Sequence, residues 1–76
     1  MASTRIFRTL GASIRELRVR AGMSQDELAV QARVSRVYLG MLERGQRNVS
    51  FEVLYRVANA LGTTVSGIIQ EFERKL

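Results

Sequence analysis

Three times in this chain an apolar residue stands directly before a serine, and a second apolar residue follows four places after it: Met23-Ser24-Leu28, Val34-Ser35-Leu39 and Val49-Ser50-Leu54. A serine at a helix start accepts a hydrogen bond from a first-turn amide that has no carbonyl partner, and the flanking apolar pair fixes the angle at which the chain enters the helix. Glu27, three residues after Ser24, completes a reciprocal capping box. Three such signals within 76 residues restrict the chain to a succession of short helices. The pattern predicts helix two at about 25–32, helix three at about 36–44 and helix four at about 51–61, with Gly45 and Gly62 ending the last two. Upstream, Ile6, Leu10, Ile14, Leu17 and Ala21 recur at helical spacing before Gly22 and define helix one, with residues 1–4 read as a frayed tail. Downstream, Thr64 is the expected cap of helix five, whose apolar stripe is Ile68, Ile69, Phe72 and Leu76. No strand signal, internal repeat, low-complexity segment or linker interrupts this series, so the expectation is one all-α domain over residues 1–76.

Composition removes whole classes of chemistry. There is no cysteine, hence no disulfide, zinc–thiolate site or thiol nucleophile. There is no histidine either, which takes away the usual general base and the commonest transition-metal ligand. With no paired-carboxylate spacing to replace them, the chain is not expected to be an enzyme or to hold a metal or other cofactor. No apolar run approaches the roughly 18 residues a membrane helix needs, so no membrane partner is expected. The arginine-rich first 22 residues resemble a transit peptide in composition, but removing them would delete helix one. A cytoplasmic protein is the expectation.

Charge gives the first positive indication. Twelve basic residues, eleven of them arginine, stand against seven acids for a net charge of +5. The whole excess lies at or before Arg47, and the remainder is neutral. A basic half on a neutral half suits a polyanion on one face and a different partner on the other. Charge by itself is equally consistent with an ordinary solvated surface.

The joint between helices two and three decides more. Only Arg33, Val34 and Ser35 separate them, which forces a steep crossing and buries a fixed apolar set: Leu28, Ala29, Ala32, Val34, Leu39 and Leu42. Ala29 is small enough to let the two helices approach. This is the helix-turn-helix pattern, over about residues 25–44. A helical hairpin serving only as core has the same spacing.

The residues SQDELAVQARVSRVYLGMLERG resemble the repressor/Cro-type, XRE-like helix-turn-helix family, and the resemblance extends upstream through IRELRVRAGM and downstream through QRNVSFEVLYRVANALG. Within that family the chain is most similar to single-domain controller proteins of restriction–modification systems. The resemblance implies a five-helix repressor-like fold whose third helix enters the major groove of double-stranded DNA. It implies a pairing of Arg18 with Glu43 that ties helix one to the end of helix three. It also implies an edge tyrosine at Tyr38 near the DNA backbone. Arg33 departs from the family, since it stands in the turn where glycine is usual.

Helical spacing puts Arg36, Val37, Gly40, Met41 and Arg44 on one face of helix three. Arg36 is the expected base reader, through its fork to guanine, with phosphate contact as the alternative. Val37 and Met41 suit thymine methyls or the groove wall, and Gly40 would let the helix sit close to base edges. Gln25 at the start of helix two is placed for a phosphate. Ser35, Tyr38, Arg44, Arg47 and Asn48 flank the reading helix as backbone contacts. Leu54, Val65, Ile68, Ile69, Phe72 and Leu76, from helices four and five at about 51–76, are the expected homodimer interface, matched to a palindromic operator, with capping of the chain's own core as the alternative. RNA polymerase is a candidate partner at Asp26 and Glu27, acids that the helix dipole alone also explains. The function expected is sequence-specific transcription regulation, and the alternative is an antitoxin-type module whose DNA binding is autoregulatory.

Overall fold

The computed structural model describes residues 2–76, with side chains from Thr4 onward. Five helices follow in order: α1 Ala2–Arg20, α2 Gln25–Ala32, α3 Arg36–Glu43, α4 Phe51–Ala60 and α5 Val65–Arg74. Among the described residues there is no strand. Ser24, Ser35, Ser50 and Thr64 each cap a helix, their hydroxyls accepting from the amides of Glu27, Tyr38, Val53 and Gly67 at 3.0–3.2 Å. The capping box at Ser24 is closed, with the Ser24 amide donating to Glu27 Oε1 at 2.8 Å.

The helix ends share one closure. The chain turns left-handed after α1, α3 and α4 on glycines, and after α2 it makes the same turn on Arg33, at φ 60° and ψ 46°. The Arg33 amide donates to Ala29 and Val30, and Val34 donates to Ala29 at 3.0 Å. A left-handed arginine costs roughly 1–2 kcal/mol. The turn is retained because Leu28, Ala29 and Ala32 on one side and Leu39 and Leu42 on the other are all buried.

Helix α1 packs against α3 and α5, α2 against α3 and α4, and α4 against α5. Leu10, Ile14, Leu28, Ala29, Ala32, Leu39, Leu42, Leu54, Val57, Ala58 and Ile68 form the buried core. A fully buried leucine such as Leu39 contributes about 1.5–3 kcal/mol. Gly11 marks the point where α1 crosses α3. A Cβ there would overlap the Leu42 carbonyl oxygen and lie 2.7 Å from that of Glu43.

Several expectations need correction. Helix one is helical from Ala2 rather than from beyond a tail at 1–4, while Met1 lies outside the described residues. Ile6 is largely exposed, and Ala21 is exposed and lies beyond the helix. Helices three and four stop one residue early, with Arg44 and Leu61 as their C-caps. Val34 packs against the core but stays half-buried. Leu54 and Ile68, expected at a dimer face, are buried inside the chain's own core and offer no surface to a partner.

Candidate nucleic-acid interface

Helix α3 divides into two faces. Leu39 and Leu42 point into the core, while Arg36, Val37 and Arg44 are exposed, Val37 to 68%. An exposed valine beside an exposed arginine on the first turn is a poor arrangement for solubility and a suitable one for a base edge and a thymine methyl. Met41 is half-buried on the same side. Gly40 is buried rather than presented: a Cβ there would meet Arg44 Nη1 at 3.3 Å, because the Arg44 side chain lies over it. Its smallness leaves room for the arginine. Arg44 Nε also donates to Gln46 Oε1 at 3.2 Å.

The tilt of this helix is set from behind. Arg18 Nε donates to Glu43 Oε2 at 2.7 Å and Arg18 Nη2 to Glu43 Oε1 at 3.1 Å, a two-point pair with side chains 11% and 2% exposed. Arg18 Nη1 continues to the Met23 carbonyl at 2.9 Å, so one guanidinium ties α1, the turn before α2 and the end of α3. Gln25 joins from the first residue of α2, its Nε2 donating to Glu43 Oε1 at 2.9 Å. That bond takes one of the two protons of the amide, so the expected phosphate ligand is anchored at a fixed height beside α3.

The remaining backbone candidates cluster beyond α3. Ser35 spends its acceptor on the α3 cap. Tyr38 is half-buried, and its hydroxyl donates to the Asn48 carbonyl at 3.3 Å. The Arg47 guanidinium lies 5.5 Å from the Tyr38 ring centroid, a cation–π placement that holds a flexible cation beside α3. Asn48 is exposed on the same loop. The structure thus brings Gln25, Ser35, Arg36, Val37, Tyr38, Arg44, Arg47 and Asn48 to α3 and its two flanks.

Two features escaped the sequence reading. Asp26, read as a helix-dipole acid, pairs with Arg36, with Oδ1 2.9 Å from Nε. Phe51 and Tyr55, four apart on α4, are 71% and 55% exposed. The signal for the second was present, since both fall off the stripe of Leu54, Val57 and Ala58 that α4 buries. Val65, Ile69 and Phe72 are half-buried against the core, and Leu76 is exposed. Among the described residues no group of acids is placed to hold a metal, and no helix is long and apolar enough to cross a membrane.

Known proteins agree with this geometry. A family model described as helix-turn-helix matches residues 14–68. The immunity repressor protein of Bacillus phage phi105 is 41% identical over 63 residues, 83% of this chain and 44% of that protein, so the chain spans less than half of that repressor's length. The crystal structure of the clp gene regulator ClgR from C. glutamicum matches with a TM-score of 0.89 at 39% identity, covering 93% of this chain and 92% of that one. The restriction–modification controller protein C.AhdI from Aeromonas hydrophila matches with a TM-score of 0.80, also at 39% identity, over 82% of this chain and 94% of that one. A capped helix pair closed on a buried ion pair, a family match across both of those helices, and close structural neighbours that are gene regulators converge: this chain belongs to the XRE-like helix-turn-helix family of DNA-binding transcription regulators.

Proposed function

We propose that this protein is a homodimeric regulator that binds a palindromic operator, with α3 of each copy in the major groove. The observation that carries the reading is the pairing of an exposed Arg36–Val37 turn with an inward face locked by Leu39, Leu42 and the Glu43–Arg18 pair. Arg36 reads guanine, Val37 contacts the neighbouring thymine methyl, and Met41 fills the groove wall. Gln25, Ser35, Tyr38, Arg44, Arg47 and Asn48 set the register on phosphate. The dimer face combines Val65, Ile69, Phe72 and Leu76 with Phe51 and Tyr55, the exposed aromatics of α4. A twofold arrangement then presents two reading helices about 34 Å apart, one turn of DNA. The protein acts in the cytoplasm and needs no cofactor. RNA polymerase is a further partner where the operator adjoins a promoter, through the exposed acid Glu27.

Selection of bound duplexes from a random pool at about 0.15 M salt tests this reading, since salt at that level screens purely non-specific attraction. A palindrome with half-sites about 10 base pairs apart is expected. Recovery of an unsymmetrical single site would remove the dimer, and recovery of no sequence would remove base reading.

A further inference from the structure

We propose that Asp26 determines specificity by holding the Arg36 guanidinium for one base position and by penalising its use on phosphate. The inference rests on Arg36 being a base reader. Asp26 lies in the first turn of α2 and Arg36 is the first residue of α3, and Asp26 Oδ1 lies 2.9 Å from Arg36 Nε in an ion pair. The two side chains are 73% and 62% exposed, and exposed ion pairs contribute little to folding. The pair therefore has little part in stability, and its geometry gives it another.

Arginine carries donors on Nε and on both terminal nitrogens. The terminal fork is what matches guanine O6 and N7. A carboxylate at the fork would mask it. With its closest approach at Nε, Asp26 engages the guanidinium on that side rather than at the fork. The ion pair biases the arginine's rotamers before DNA arrives, which lowers the ordering cost on binding.

Asp26 is itself on a fixed turn. The Ser24–Glu27 capping box closes around it, and its neighbour Gln25 is anchored on Glu43. It does not follow Arg36 to a phosphate. On a sequence without guanine at that position, the arginine either stays on Asp26 with its fork unmatched or swings to the backbone. The swing strands a carboxylate beside a polyanion with no cation partner. Discrimination therefore comes from a repulsive element as well as an attractive one.

The test is a cycle of wild type, Asp26→Asn, Arg36→Ala and the double variant. Dissociation constants are measured for the selected operator, for that operator changed at the base Arg36 reads, and for random duplex, across a salt series. Unfolding midpoints of all four confirm that each is folded. Asp26→Asn is expected to bind random duplex several-fold tighter, with a log–log salt slope steeper by about one. Its preference for operator over the single-base variant falls several-fold, and this fall is absent in the Arg36→Ala background. An equal gain on all three duplexes, with preference intact, overturns the proposal, because Asp26 then acts only as a general negative charge. An Arg36→Ala protein that keeps its preference overturns base reading itself, a separate failure that takes the proposal with it.

Discussion

Arg18 and Glu43, 25 residues apart in sequence, meet in a two-point ion pair that closes α1 onto the last residue of the reading helix. Both residues are buried, and Glu43 also accepts from Gln25, so its carboxylate has no water to fall back on when a partner is lost. Removing one member of such a pair leaves an uncompensated charge and costs about 3–5 kcal/mol, whereas replacing both by apolar groups is far milder. Glu43→Ala is expected to lower stability by about that much in urea unfolding, and Arg18→Met with Glu43→Leu to recover most of it. The recovered protein should still bind its operator weakly, because Gln25 and the tilt of α3 have lost their anchor. Operator affinity equal to wild type in the double variant would mean that the pair serves stability alone.

Two helical glycines are expected to answer oppositely to alanine. At Gly11 the new methyl meets the backbone carbonyls of Leu42 and Glu43, which cannot yield without moving α3. Overpacking of that kind costs about 1–3 kcal/mol or more. At Gly40 the nearest atom is the Nη1 of Arg44 at 3.3 Å, the far end of a flexible side chain. Alanine in a helix interior gains about 1 kcal/mol over glycine. Gly40→Ala should therefore raise the melting temperature while displacing the Arg44 guanidinium. A stability loss at Gly40 as large as at Gly11 would show that the cover of Arg44 over Gly40 is rigid.

The helix starts were legible because each is a local event: a serine hydroxyl three residues from the amide it accepts. The core of the α2–α3 joint was legible for the same reason, since a three-residue turn leaves few ways to bury Leu28, Leu39 and Leu42. What failed is non-local. Leu54 and Ile68 lie on apolar stripes that read alike whether a stripe faces its own core or a second copy, and only the packing of α5 on α1 and α4 separates the cases. Gly40 shares a helix face with Arg36 by spacing, yet the Arg44 side chain folds back over it. Asp26 reads as a dipole acid because nothing local links it to a residue on the next helix.

The reading helix and its flank should separate by kind of effect. Arg36→Ala is expected to lose about 1–3 kcal/mol on the operator and to relax preference at one base position. Arg47→Ala should weaken all sequences alike and reduce the salt slope by about one. Competition binding with single-base operator variants, repeated at several salt concentrations, distinguishes them. A uniform loss from Arg36→Ala would reassign that residue to phosphate.

Dimerisation is best probed away from the core. Phe72 packs against the buried cluster, so a charge there would disturb folding as well as association. Phe51 is 71% exposed and carries no such ambiguity. Phe51→Asp should sediment as a folded monomer with weakened operator binding. A variant that remains dimeric would exclude Phe51 from the interface and leave it to half-buried Val65 and Ile69 with exposed Leu76.

Glu71 makes the attachment of α5 to α1 sensitive to acid. Its carboxylate accepts from Arg74 on its own helix and from Arg20 of α1, and Lys75, which also reaches Glu16 at 3.0 Å, lies beside it. The hydrogen bonds of Arg74 and then Arg20 pull the Glu71 carboxyl from 4.5 down to about 2, and Lys75 lowers Glu16 in the same direction. A carboxyl held lower in the folded chain than in the unfolded one stabilises fully above the unfolded value and loses that contribution as pH falls through the folded value. The melting temperature is therefore expected to drop as pH falls from 4.5 towards 2, the window set by Glu71. Because the partners Arg20, Arg74 and Glu16 are exposed, screening keeps the effect small, and added salt should flatten it. Glu71→Gln should start lower at neutral pH and lose less on acidification. A variant with the same acid slope as wild type would place the sensitivity on another carboxylate.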